Sequence, residues 1–180
     1  QHSAMMSIRR HGPLTLGELA EHERVAQPTT SRVVAKLEAD GQLTDETDRP
    51  LLVLVADCLP VAMVSDRGLA MLHCGWRGLA AGIIDAAALQ IGGWAAAIGP
   101  GIGPCCFEVG PEVEAAFAHL GPGLMNGRNL DLPEVARRLL ERAGVETVES
   151  AGICTHCDER FFSHRRDGGI TGRQAGISAH

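Results

Sequence analysis

The chain contains no tyrosine, and its aromatic content is only 3%, from four Phe and two Trp. A core cannot rest on rings here, so it falls to Ala, Leu, Ile and Val, and a hydrophobic content of 45% suits a globular protein. A single lysine, Lys36, stands beside 15 arginines, a bias that speaks of a GC-rich genome rather than of a site. No apolar run approaches the roughly 18 residues that cross a bilayer, so no membrane span is expected. The net charge of −6 removes nucleic acid as the default partner of the whole chain. Cysteine is absent before Cys58, and six in 180 residues, with no secretion signal, are too few for a disulfide scaffold. Reduced thiols in a cytoplasmic protein are expected. The opening Gln1-His2-Ser3 is neither an initiator Met nor a signal peptide, and reads as the interior of a longer reading frame.

What is present falls into two parts. Residues 1–41 carry helical patterning: Ser3 to Arg10, Leu16 to Arg24 behind a capping box of Thr15 and Glu18, and a third helix opened by Pro28-Thr29-Thr30-Ser31. Two short helices joined by Val25-Ala26-Gln27 form a helix-turn-helix pattern. Residues 42–50 are polar and turn-rich, placing the boundary near Gly41.

From Leu51 the pattern is α/β. A strand is expected over Leu51 to Ala56, then a hairpin of Val61 to Val64 and Leu69 to Leu72 turning at Ser65-Asp66-Arg67-Gly68. One helix is expected over Gly78 to Gln90, a strand over Trp94 to Ile98, and a stiff turn over Gly99 to Pro104. Helices follow at Pro111 to Leu120 and, capped by Asp131, up to Ala143, then a strand over Val145 to Ile153. Cys154 to Gly172 reads as a polar loop.

The hairpin brings Cys58 and His73 to the ends of neighbouring strands. Thiolate and imidazole together suit zinc or copper, and equally suit a nucleophile with its base. Cys154-Thr155-His156-Cys157 offers a CxxC that suits a metal knuckle or a redox pair, but no second CxxC completes a zinc ribbon. Cys105 and Cys106 would point to opposite sides if extended, one lining a site and the other packing. The arginines around Arg165, Arg166 and Arg173 suit a phosphate or carboxylate.

Two resemblances bear on these patterns. Arg9 to Ala20 and Pro28 to Gly41 resemble the helices of MarR-type transcriptional regulators, in which Thr29, Thr30 and Arg32 would face a DNA groove. Five basic and five acidic side chains cancel in that stretch, so DNA is not an expected partner. Ala56-Asp57-Cys58-Leu59-Pro60-Val61, His73-Cys74-Gly75-Trp76-Arg77-Gly78, the Gly99 to Val113 run and Cys154 to Arg173 resemble the YfiH family. These are laccase-domain or "polyphenol oxidase" proteins, also described as purine nucleoside phosphorylases and peptidoglycan editing factors. The resemblance covers about residues 42–178.

It implies a layered α/β sandwich on a mixed sheet, preceded here by the short helical segment. It also implies one metal, zinc or alternatively copper, held by Cys58, His73 and a further His from an N-terminal motif without a clear counterpart; His11, His156 and His164 are the candidates within the chain. The implied activity is phosphorolysis of adenosine, inosine or methylthioadenosine, or adenosine deamination. Arg77, Arg165 or Arg173 would hold phosphate, Asp57 or Glu108 would move a proton, and Cys105 would line the site. The alternatives are an amidase for a cell-wall precursor with Cys58 as nucleophile, a DNA-binding regulator with an α/β sensor, or a chimeric fragment without activity. Multi-copper oxidation wants clustered histidines, and no HxH pair occurs.

Overall fold

The computed structural model describes residues 51–178. Strands β1 (Leu51–Val55), β2 (Leu59–Val64), β3 (Leu69–Cys74) and β4 (Ala95–Ile98) are interleaved with helices α1 (Trp76–Ala80) and α2 (Ile83–Ile91). Then come α3 (Pro111–Phe117) with a 3₁₀ turn at Ala118–Leu120, the short β5 (Met125–Asn126) and β6 (Asn129–Leu130), α4 (Leu132–Arg142), β7 (Thr147–Ser150) and β8 (Gln174–Ser178). The helical pattern of residues 1–41, with Thr29, Thr30 and Arg32, lies outside the described residues.

A four-stranded mixed sheet runs β3-β2-β4-β7, antiparallel except for the parallel β4–β7 pair. The β2–β3 hairpin is the one the sequence predicts, with Ser65 N–H donating to Gly68 C=O across the turn at 2.9 Å. The period-2 alternation of the strands explains the layers. Leu59, Val61 and Met63 of β2, Ala70, Leu72 and Cys74 of β3, and Ala96 and Ile98 of β4 are buried on one face. Helices α2 and α4 close it with Ile84, Ala87, Val135, Ala136 and Leu140, and α3 adds Phe117. Each such aliphatic side chain contributes roughly 1.5–3 kcal/mol by leaving water, which compensates for the scarcity of rings.

The opposite face is covered by an antiparallel ribbon of β1 and β8, Val53 facing Gly176. Gly176 sits directly on the sheet, since a Cβ there would come within 2.6 Å of Pro60 Cβ. The result is ribbon, sheet and helices, the layered α/β arrangement expected.

Three local expectations are corrected. The helix expected over Gly78 to Gln90 starts earlier and is broken in two: Gly82 takes φ 81°, a left-handed conformation that ends α1 and opens α2. The strand expected over Val145 to Ile153 shortens to Thr147–Ser150. Strand β8 lies where the sequence shows no strand pattern, because Gln174-Ala175-Gly176-Ile177-Ser178 gains its conformation from pairing with β1. The Asp131 cap is as expected: its carboxylate accepts from Glu134 N–H at 3.0 Å.

Candidate functional site

The hairpin register sets Pro60 opposite His73 and Leu59 opposite Cys74, so Cys58, one residue before β2, meets the loop that follows β3. Gly75 lies against its thiol: a Cβ at Gly75 would stand 2.8 Å from Cys58 Sγ. The glycine of the His73-Cys74-Gly75-Trp76 run therefore gives the sulfur its space. Cys58 and His73 are both half-buried. Burial, and then the nearby positive charge of Arg173, push the imidazole below its usual range, favouring the neutral ring whose lone pair can coordinate or accept a proton. The Arg173 guanidinium donates to the carbonyls of Thr171 and Gly172 at 3.0 and 2.8 Å.

Asp57 is 8% exposed and adopts φ 80°, the one non-glycine residue with positive φ among those described. One carboxylate oxygen accepts from the fully buried Thr155 hydroxyl and the other from the Arg165 backbone N–H, each at 2.7 Å. Its backbone carbonyl accepts from Ile102 N–H at 2.8 Å. Asp57 thereby ties the loop carrying Cys58 to the turn after β4 and to the Cys154–Gly172 loop.

The other expected residues divide. Arg77 is exposed and stacks on Trp76, 4.2 Å from the ring centroid. Arg165 lies over Phe107 and donates to the Glu108 carbonyl at 3.0 Å. The Glu108 carboxylate pairs with Arg128 at 3.0 Å, both side chains more than half exposed, so it is committed to a surface ion pair. His156 and His164 do not join Cys58 and His73: among the described residues, no group of three or more ligand side chains includes that pair. His11 lies outside the described residues.

A thiol and an imidazole are donors that suit a metal chemically, but they make two of the three protein ligands usual for catalytic zinc. The cysteines hold the surprise. Cys105 and Cys106 do not point apart, because they lie in a turn where Cys106 N–H and Phe107 N–H both donate to Gly103 C=O. Their sulfurs are 3.5 Å apart and converge on Cys157, at 3.5 and 3.3 Å. Cys105 therefore belongs to a sulfur cluster with Cys106, Cys154 and Cys157. The cluster escaped sequence reasoning, which weighed the vicinal pair and the CxxC separately.

Comparison with known proteins follows this geometry. A family model described as "Multi-copper polyphenol oxidoreductase laccase" matches residues 7–179. The chain belongs to that family. A Xylella fastidiosa protein named purine nucleoside phosphorylase is 37% identical over 164 residues, covering 80% of this chain and 58% of its own length. The Escherichia coli purine nucleoside phosphorylase YfiH is 34% identical over 171 residues, covering 86% of this chain and 69% of its own. Among solved structures, YlmD from Geobacillus stearothermophilus is similar at 33% identity with a TM-score of 0.67, over 74% of this chain and 59% of that one. The chain thus spans less than two thirds of the first of these relatives. The family match begins at residue 7 and runs through the stretches resembling MarR-type regulators, and nothing in these comparisons supports that resemblance. Among the described residues, no helix is long and apolar enough to cross a membrane.

Proposed function

We propose that the chain contributes the centre of a metal-dependent enzyme that splits purine nucleosides with phosphate. The observation that supports this reading is the β2–β3 register, which sets His73 opposite Pro60 and so brings Cys58, one residue before β2, to the same end of the hairpin, with Gly75 leaving space for the sulfur. The names of the relatives from Xylella fastidiosa and Escherichia coli supply the substrate class. Cys58 and His73 would hold zinc, or alternatively copper, and a third donor would come from outside residues 51–178 or from another chain. Bound there, the metal would supply a Lewis acid that polarises substrate or water.

The remaining work falls to the side chains. Arg173, whose charge acts on His73, is the arginine assigned to phosphate here; its guanidinium, like that of Arg165, also donates to backbone carbonyls, and Arg77 stacks on a ring. In phosphorolysis a phosphate oxygen bonds to C1′ of the ribose as the glycosidic C–N bond breaks, and the electron pair leaves with the base, which is then protonated on nitrogen. Asp57 acts by positioning: both its oxygens are occupied in holding Cys58's loop, so it is not the carrier of that proton.

The test uses purified chain with adenosine or inosine, with and without phosphate, following base, ribose 1-phosphate and inosine. Phosphate-dependent release of base is expected, lost in Cys58→Ala and in His73→Ala together with one equivalent of metal. Inosine formed from adenosine without phosphate would reveal deamination at the same centre. Either variant keeping both metal and turnover sinks the proposed centre.

A further inference from the structure

We propose that Cys105, Cys106, Cys154 and Cys157 form a second metal site, a tetrathiolate that holds a single zinc ion apart from the Cys58–His73 pair. All four sulfurs lie within 4.8 Å of one another. A tetrahedral zinc with bonds of about 2.3 Å sets its sulfurs about 3.8 Å apart; the separations among Cys105, Cys106 and Cys157 are 3.3, 3.5 and 3.5 Å, and Cys154 Sγ lies within 4.8 Å of each of them, so shifts of an ångström or less reach that geometry. The same separations are far from the roughly 2.05 Å of a disulfide. They also fit one ion better than an iron–sulfur cluster, whose four cysteines are spread over two or four irons.

The backbone is built for this. Beyond β4 and β7 the parallel pairing continues as a single bridge between Gly101 and Cys154, with Thr155 N–H donating to Gly101 C=O at 3.0 Å. Each of the two paired segments then makes the same tight turn. Gly103 C=O accepts from Cys106 and Phe107 N–H; Cys154 C=O accepts from Cys157 and Asp158 N–H. Each turn delivers two sulfurs, the pairwise arrangement of a zinc knuckle. Gly103 N–H donates to Cys154 Sγ at 3.2 Å, and a Cβ at Gly103 would come within 3.5 Å of both Cys105 Sγ and Cys154 Sγ. A backbone N–H aimed at the Cys154 sulfur favours its thiolate form.

Four thiolates on Zn²⁺ carry net charge −2, and two guanidinium groups stand at the turns. Arg166 donates to the carbonyls of Thr155 and His156 within the CxxC turn, and Arg165 to the carbonyl of Glu108, just past Cys106. The site has a structural consequence. Thr155, between the two ligands of one turn, donates to Asp57 beside Cys58, so the metal would fix the loop that sets Cys58 in place.

The test measures zinc in the purified full chain and in two double variants. The Cys58→Ala/His73→Ala protein should retain one zinc per chain, and on cobalt exchange should show the intense thiolate charge-transfer and red d–d bands of a tetrahedral four-sulfur site. The Cys105→Ser/Cys157→Ser protein should lose that zinc and those bands. Thiol alkylation of the wild type followed by mass spectrometry provides a reading that does not depend on the folding of that variant. The exposed Cys105 and Cys157 should resist alkylation with zinc bound and react after chelation. Their rapid alkylation in zinc-saturated protein, a disulfide among the four, or iron in place of zinc would each overturn the assignment. Loss of the Cys58–His73 metal alone would refute only the proposed active centre.

Discussion

Replacing Asp57 separates a positioning role from a proton-transfer role, and the structure sets the magnitudes. The carboxylate accepts two hydrogen bonds at 2.7 Å in a residue 8% exposed, and hydrogen bonds to a charged group contribute roughly 1.5–3 kcal/mol each. Its φ of 80° is a conformation that Asp and Asn tolerate but that costs other residues about 1 kcal/mol or more. Asp57→Ala loses both bonds and strains the backbone, so a destabilisation of about 4 kcal/mol is expected. Asp57→Asn keeps the left-handed tolerance and one accepting oxygen for Arg165 N–H, while its NH₂ donates to a Thr155 hydroxyl turned to accept. About 1 kcal/mol is expected there. Urea unfolding of both variants and wild type, compared at equal m-value, measures the difference. Asp57→Ala within about 1 kcal/mol of wild type would refute the latch. Turnover provides the second reading: Asp57→Asn should keep most activity, whereas loss of turnover in a stable Asn variant would make Asp57 a proton carrier.

Gly75 has φ −81° and ψ 165°, open to any residue, so Gly75→Ala acts only through its 2.8 Å approach to Cys58 Sγ. The displaced thiol should cost about 1–3 kcal/mol of stability and weaken metal binding at Cys58, read by metal titration; unchanged affinity would show that the sulfur sits elsewhere. Glu134 accepts from Arg137 and Arg138 at the start of α4, and the Arg137 hydrogen bonds above all hold its carboxyl down at about 2. A carboxylate depressed on folding stabilises above its unfolded pKa, and that share is lost as pH falls from about 4.5 towards 2. Glu134→Gln should therefore lose about 1 kcal/mol at pH 7 in thermal melts, the screened value for a partly exposed ion network. The gap from wild type should close on acidification; a constant gap would mean that the charge is not what matters.

Local chemistry explains which elements were legible. The β2–β3 hairpin could be read because its apolar runs flank Ser65-Asp66-Arg67-Gly68, and α4 because Asp131 caps it and Gly144 follows it. The hairpin suggested Cys58 and His73 as a pair, and the resemblance to the YfiH family made them candidate metal ligands. By contrast β8 carries a glycine and polar ends, and only its partner β1 makes it a strand. The break at Gly82 was hidden by the alanines around it, which favour helix on either side of a left-handed residue. Asp57 was singled out for its chemistry beside Cys58. Its two partners come from Thr155 and Arg165, at a sequence distance that no local pattern spans.

The sulfur cluster shows how function can depend on a pairing rather than on a motif. Cys105-Cys106 and Cys154-Thr155-His156-Cys157 each offer two sulfurs, half of a four-coordinate site, and each alone has ordinary explanations. What joins them is that β4 and β7 run parallel and in register, Ile98 facing Ser150, and that the bridge at Gly101 and Cys154 carries the alignment onward. Both chains then leave the sheet at the same level and on the same side. Parallel neighbours need a crossover, here supplied through α3 and α4, so the two halves must be far apart in sequence. A slip of one residue in the β4–β7 register would turn the Gly103 and Cys154 turns away from each other. The register is held by Ala96 and Ile98, buried under α4, so the packing of the apolar core also sets the spacing of the four sulfurs.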